Sequence, residues 1–294
     1  MKKIDFIATV VVKNANPNGD PLSGNMPRTD ASGYGEISDV CIKRKIRNRL
    51  QDMNAEENPD LEKRLNSGND IFVKSNDRID DDCHSLEKRY KTLGFNNKTD
   101  DRTIEEAVNA KWIDVRSFGQ VITYDKKSIG IRGPVSVSLA KSLSPIDITT
   151  MQITKSTNGV EAKEGQGRSS DTMGTKYYVD YAVYKISGAI SPYFAENTGF
   201  DDADLERIKE AIRTMFVNDA SSARPEGSME IKEVFWFKHS NKIGNVSSAK
   251  IQELLEYNSE AGATDYDSYE VRLNEEKLKS YMDKGLEVEY IEGL

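Results

Sequence analysis

A reaction that needs a nucleophile, a proton carrier or a metal would draw first on His84, His239, Cys41, Cys83 and the loop aspartates Asp20 and Asp30. Neither histidine comes with a nucleophile and an orienting acid, and the cysteines form no spaced pair, so no triad, zinc site or disulfide framework is signalled. A single loop carboxylate can hold a metal or a water, but aspartate opens turns equally well. The denser signal is basic. Lys43, Arg44, Lys45, Arg47 and Arg49 crowd one short segment with only Asp39 opposing them nearby, and Arg28 precedes them. Arg28, Lys43, Arg44 and Arg47 suit charge-assisted contacts to phosphates, Arg47 with a directional donor fork that lysine lacks. A solvated helix face would show the same pattern. Asn14, Asn16 and Asn18 can orient backbone or ribose groups, and Asx turns account for them as well.

Net charge does not choose the partner. The 294 residues carry a formal charge of -8, yet residues 251–294 hold twelve acidic residues against four basic ones, and residues 1–250 balance at 37 of each. Local fields govern contacts, whereas net charge acts mainly on solubility and steering, so a basic patch on the neutral body stays available to a polyanion. Hydrophobic residues at 37% and charged residues at 31% describe a globular chain. No apolar run approaches the roughly 20 residues of a membrane span, so no membrane partner is expected. Met1–Val12 reads as a first strand rather than a secretory leader, since no small-residue cleavage site follows. A soluble protein of a reducing cytoplasm, without a cofactor, fits these features.

The elements that must carry these side chains follow from periodicity. Lys3–Lys13 is β-branched and short enough for a central strand. Asn14–Glu36 is so rich in Asn, Pro and Gly that it forms a long loop, and loops of that length in compact domains are usually functional or mobile. Ser38 then caps a helix in which Ile42, Ile46, Leu50 and Met53 face a sheet. Residues 54–110 read as an inserted helical subdomain, with helices near 83–93 and 103–112. Asp114–Thr123 reads as a strand, a turn follows at Asp125–Ser128, and Val135, Val137 and Leu139 alternate as another strand. Residues 151–175 form a Gly- and Ser-rich arm, expected to protrude or to be partly disordered. Lys176–Ile186 is a strand, Ser187–Phe200 a connection, and Asp201 or Asp202 caps a helix through Phe216. A closing strand holds Ile231, Val234, Phe235 and Phe237. The order strand, helix, strand, strand, helix, strand is that of a ferredoxin-like or RNA-recognition fold, which would offer a sheet as an RNA platform.

The segments NPNGDPLSGNMPR (16–28) and ISDVCIKRKIRNR (37–49) resemble the backbone protein of type I CRISPR surveillance complexes (Cascade), particularly the type I-C form. The resemblance continues in order through DVRSFGQV (114–121), IRGPVSVSLAKSLSPI (131–146), TMGTKYYVDYAVYKISGAIS (172–191) and MFVNDASSARPEG (215–227). It fades in the acidic tail. Ala220 stands where the type I-C pattern usually carries an arginine, which puts one basic contact in doubt.

The resemblance implies an α+β protein: an RNA-recognition-motif-like (ferredoxin-like) palm over residues 1–250, an inserted helical web at 54–110, a protruding thumb at 150–175, and an acidic C-terminal extension at 251–294. It implies that copies stack along one CRISPR RNA and hold its backbone, leaving the bases to pair with target DNA, a division in which phosphate contacts position and base pairing specifies. The implied partners are CRISPR RNA, further copies of the chain, a guide-processing subunit, a large surveillance-complex subunit with or without a small one, target DNA and a recruited nuclease-helicase. The expected RNA contacts are Asn16, Arg28, Lys43, Arg44, Arg47, Arg116, Arg132, Lys163, Arg168, Lys176 and Arg224, with Met173 as an unbranched wedge against a base. Salt bridges rival this role for Arg116 and Arg132, and loop organisation rivals it for Arg224. Two alternatives stand beside it: a guide-directed endoribonuclease that uses Asp20 or Asp30, and a protein scaffold that touches no RNA.

Overall fold

The computed structural model describes residues 1–155, 173–258 and 262–294. β1 (Ile4–Ala15) is buried over its first nine residues, the expected state of a β-branched strand covered on both faces. In the loop that follows, β2 (Gly19–Asp20) pairs with β3 (Met26–Pro27) before β4 (Tyr34–Ile37). α1 (Asp39–Glu57) begins at Ser38, whose Oγ accepts from the Cys41 N–H, and Asp39 sits at the positive end of its dipole. α2 (Leu61–Leu65), α3 (Leu86–Lys91), α4 (Asp101–Lys111) and α5 (Ile113–Phe118) form a helical segment, followed by the hairpin of β5 (Gln120–Ile122) and β6 (Ile129–Ile131). Next come β7 (Val135–Val137), β8 (Ala140–Pro145), β9 (Ile148–Thr154), β10 (Met173–Ile190), α6 (Pro192–Thr198), α7 (Asp202–Arg213) and β11 (Met229–Lys238). The last elements are α8 (Ser248–Gln252), β12 (Leu255–Glu256), β13 (Arg272–Leu273), α9 (Glu275–Met282) and β14 (Glu287–Glu292).

The main sheet runs β14-β11-β1-β10-β8-β4, every neighbouring pair is antiparallel, and β7 and β9 add to β10. Alternate side chains of β1 enter two cores. Ile4, Phe6, Ala8, Val10 and Val12 meet Ile42, Ile46 and Leu50 of α1 and Leu205, Ile208 and Ile212 of α7. Ile7 and Val11 point to the opposite face, where Ile251, Leu254, Leu273, Leu278, Leu286 and Tyr269 cover the sheet. This corrects the expectation of an open sheet for RNA: the face away from α1 and α7 is closed by the acidic C-terminal region, and β14 extends the sheet beside β11. Among the described residues no helix is long and apolar enough to cross a membrane.

Two element assignments also change. Residues 113–118 form a helix, because the Asp114 carboxylate accepts from the Phe72 and Val73 N–H groups at 2.7 and 3.1 Å and from Arg47 Nε at 2.9 Å. Five consecutive residues of that turn are buried, so no helical stripe marks it in the sequence. Ser187–Ile190 stays in β10, and Pro192 then opens α6, which Gly199 ends at φ 75°. Beyond the short β7, Leu139 is exposed rather than core.

Candidate nucleic-acid interface

The long loop after β1 is held by its own asparagines. Asn14 adopts the left-handed conformation at φ 51°. Asn16 is buried, and its Nδ2 donates to the Asn25 carbonyl at 2.7 Å. Asn18 Oδ1 accepts from both the N–H and the hydroxyl of Ser38 at 2.9 Å. Asn16 and Asn18 thus brace the loop from within, whereas Asn14 is exposed. The loop carries Arg28 to the foot of β10: β3 lies against that strand, and Gly24 sits beside the Tyr177 hydroxyl. Arg28 remains 38% exposed, with Asp20 Oδ1 at 3.4 Å. Arg224 reaches the same end, its Nε 3.4 Å from Asp219 and its NH1 3.5 Å from the Asn16 carbonyl. Beneath them Lys45 Nζ binds Asp219 at 2.6 Å, and burial pulls the Lys45 ammonium below its ordinary range against the opposing pull of Asp219. Burial pushes the neighbouring Cys41 thiol up.

Along β10 the strip continues outward. Lys176 is half-buried, pairs in register with Met151 and has no ion-pair partner among the described residues. Met173 lies opposite Thr154 and is 61% exposed. The geometry thus brings Arg28, Arg224, Lys176 and Met173 to one side of the molecule. Lys163, Arg168 and most of the arm at 150–175 lie outside the described residues.

The α1 cluster behaves differently. Lys43 Nζ pairs with Asp39 one turn away at 3.1 Å. Arg44 donates to the Val73 carbonyl, and burial together with the adjacent Arg47 pulls its guanidinium below the ordinary value. Arg47 is held by Asp114 and lies 4.9 Å from the Phe118 ring centroid. Arg116 is 9% exposed, and its guanidinium is engaged by both Asp204 oxygens, Asn69 Oδ1 and the carbonyls of Gly68 and Asn109. It clasps α7 to the helical segment, and a guanidinium so engaged has no donor left for RNA. Arg132 stands apart: it is exposed and stacks 4.0 Å from the Phe194 ring centroid. Gly119 and Gly133 let the two chain segments around these arginines cross, because a Cβ on Gly133 would lie 2.3 Å from the Ser117 carbonyl oxygen.

Asp20 and Asp30 both organise turns. Asp20 accepts from the Leu22 N–H at 3.2 Å and the Ser23 hydroxyl at 3.1 Å. Asp30 Oδ1 accepts from Ser32 and Tyr34 N–H at 2.8 and 3.0 Å, and the Lys141 ammonium on its other oxygen holds the carboxyl below its usual range. Among the described residues no group of three or more His, Cys, Asp and Glu gathers as a metal site requires. His239 is fully buried; its Nδ1 accepts from Asn245 N–H, which leaves Nε2 to donate to Asp5 at 2.8 Å. Lys45 and Asp219, the buried pair under the loop, were missed in the sequence because they lie 174 residues apart.

With this geometry in place, comparison with known proteins is informative. Residues 2–283 match the family described as CRISPR-associated protein Cas7. A protein of that name from Haloferax volcanii is 25% identical over 278 residues, spanning 87% of this chain and 75% of the relative. Among solved structures, a chain of a "CRISPR RNA-guided surveillance complex, pre-nicking" superposes with TM-score 0.52 at 14% identity, covering 96% of this chain and 87% of that one. A chain of a "CRISPR RNA-guided surveillance complex" does so with TM-score 0.50 at 13% identity, covering 96% and 81%. At such identities the superpositions speak to fold alone.

Proposed function

Because this chain belongs to the CRISPR-associated protein Cas7 family, we propose that it is a non-catalytic backbone subunit that binds CRISPR RNA and repeats along it in a type I-C surveillance complex. The observation that carries this reading is the match of residues 2–283 to the family, over a chain that leaves Arg28, Lys176, Arg224 and Met173 along one accessible edge. Phosphates of a single strand fit such an edge, since guanidinium and ammonium groups supply charge-assisted donors without reading sequence. In the thumb reading of residues 150–175, Lys163 and Arg168 are further phosphate-binding cations. The spatial order β11-β1-β10-β7 supports an RNA-recognition-like palm, and the separate apolar cluster around Phe72, Tyr90 and Trp112 supports reading residues 54–110 as a web. RNA then lies along the loops and the edge of the palm, because protein covers the sheet face.

The non-catalytic reading draws support from Asp20 and Asp30, whose oxygens serve turns and ion pairs. The partners in this reading are CRISPR RNA, further copies, a guide-processing subunit, a large subunit with or without a small one, target DNA and a recruited nuclease-helicase, all in the cytoplasm. The test is mild purification of the chain co-expressed with a guide RNA, followed by nuclease treatment. A ladder of protein on protected RNA is the expected result. Monomeric, RNA-free protein that also fails to bind guide RNA at low salt overturns the proposal.

A further inference from the structure

Arginines in a folded protein are normally engaged, because a guanidinium carries five donors. Among the described residues Arg132 is the exception: every other arginine there has a carboxylate or carbonyl partner, whereas Arg132 has only the Phe194 ring beneath it. Stacking on an aromatic face fixes a guanidinium without using its donors, so Arg132 is preset for an incoming acceptor. It stands in a cleft of about 1160 Å³ between α4, α6 and the start of α7.

The cleft's composition selects the acceptor. Four arginines and five carboxylates line it. Apart from Arg132, its arginines are already paired, and Glu105 is a carboxylate without an ion-pair partner among the described residues. Asn109 adds a third unmet group: the residue is 4% exposed and its Oδ1 has no donor. A site with one free cation, one free anion and one orphaned acceptor suits a polypeptide of mixed charge. A phosphate chain would set repeated negative charge against the lining carboxylates.

The chain itself carries such a segment. α9 (Glu275–Met282) exposes Glu275, Glu276, Lys277 and Lys279, and none of these four side chains has an ion-pair partner among the described residues. α9 belongs to the C-terminal region that covers one face of the sheet, through Leu278, while the cleft borders α7 on the other face. Two different patches on opposite faces generate a head-to-tail contact, which propagates into a row instead of closing into a dimer.

We propose that the Arg132 cleft receives the α9 segment of a second copy, with a carboxylate on Arg132, a lysine on Glu105 and an N–H or ammonium donor on Asn109. This inference rests on the proposed function only in that the row would form along RNA. The experiment compares two RNAs, one long enough for several copies and one that holds a single copy, using wild type, Arg132→Glu, the double variant Glu275→Lys/Glu276→Lys, and all three changes combined. Arg132→Glu and the α9 double variant each weaken loading of the second copy by at least about tenfold, the scale of an interfacial anchor, with single-copy affinity unchanged, and the combination recovers most of the loss. Equal weakening on the short RNA would assign Arg132 to RNA and overturn the proposal, as would unaltered loading or a combined variant that fails to recover. If wild type binds neither RNA, the functional reading fails separately, and sedimentation of the four RNA-free proteins at high concentration decides the contact by the same pattern of loss and recovery.

Discussion

The helical segment at 61–131 and the edge formed by the first loop and β10 are both rich in charge, and they use it in opposite ways. In the first, charges turn inward. Lys74 is fully buried between Asp70, Asp80 and Asp81 at 2.9, 2.7 and 3.3 Å, and Arg89 grips Asp81. Burial opposes the Lys74 charge, but Asp70 and Asp80 outweigh it and hold the ammonium above its ordinary range. In the second, Arg28 keeps over a third of its surface, and Lys176 has no ion-pair partner among the described residues. The difference teaches that a basic residue's role is set by whether an acid partner is folded against it, which a local charge count does not report.

The sharpest way to break the comparison is Lys74→Ala. It strands the buried Asp70 carboxylate and takes one of two partners from Asp80 and Asp81, which keep Arg64 and Arg89, and the expected loss is about 3–5 kcal/mol of stability, because an uncompensated buried charge costs far more than an exposed pair contributes. Denaturant unfolding measures it. A loss below about 1 kcal/mol, the scale of a surface pair, would mean that the network is solvated and the contrast with the outer edge is false.

Next in size is the contrast between two triple variants. Arg28, Lys176 and Arg224 changed together to Ala weaken guide-RNA binding by about 10- to 100-fold at moderate salt and lower the salt slope by about 2 units, as three lost phosphate contacts on a single strand require. Lys43, Arg44 and Arg47 changed together to Ala lower the melting temperature through the lost Asp114 and Val73 contacts and leave the slope nearly intact. Fluorescence titration at several salt concentrations, paired with thermal melts, separates them. The reverse pattern would move the RNA path to α1.

A smaller effect follows acid. Burial alone would raise the Asp81 carboxyl, but its hydrogen bond from Arg89 and the charge on Lys74 outweigh this and hold it well below the usual range. A carboxyl depressed on folding contributes stability above its unfolded value, near 3.9, and loses it as pH falls toward the folded value. Melting temperature therefore falls from about pH 5 downward, and Asp81→Asn shows a flatter dependence over that range. Parallel curves for the two proteins would detach Asp81 from the acid response.

What the sequence made legible tracks the same contrast. β1 was readable from its β-branched apolar run, and α1 and α7 from an apolar stripe against the sheet. α5 was not, because burial on all sides erased its stripe, and the C-terminal cover was hidden because its core residues Ile251, Leu273, Leu278 and Leu286 are spread thinly among acids. Within the candidate interface, residue type and motif pointed to Arg28, Lys176 and Arg224. Nothing local distinguished these from Arg116, whose five-bond clasp depends on Asp204, 88 residues away. The asparagines of the first loop left turn-forming and ligand-orienting roles equally open, and the bonds of Asn16 to the Asn25 carbonyl and of Asn18 to Ser38 span 9 and 20 residues, which no local motif announces.

The smallest expected effect concerns the loop aspartates, and it bears on whether the outer edge is a binding surface or a reaction centre. Asp20 faces Arg28 at 3.4 Å, so Asp20→Asn removes the one carboxylate that competes with phosphate for that guanidinium. Asp30 pairs with Lys141 instead and keeps its turn through Ser32 and Tyr34, contacts that asparagine can largely reproduce. The double variant is therefore expected to bind guide RNA as well as wild type or slightly tighter, by no more than the few tenths to 1 kcal/mol that one exposed pair is worth. Incubated with magnesium or manganese and a matched RNA target, neither assembled protein should cut. Specific cleavage by wild type that disappears in the double variant would turn this edge into a metal-dependent site and assign the chain to guide-directed RNA cleavage.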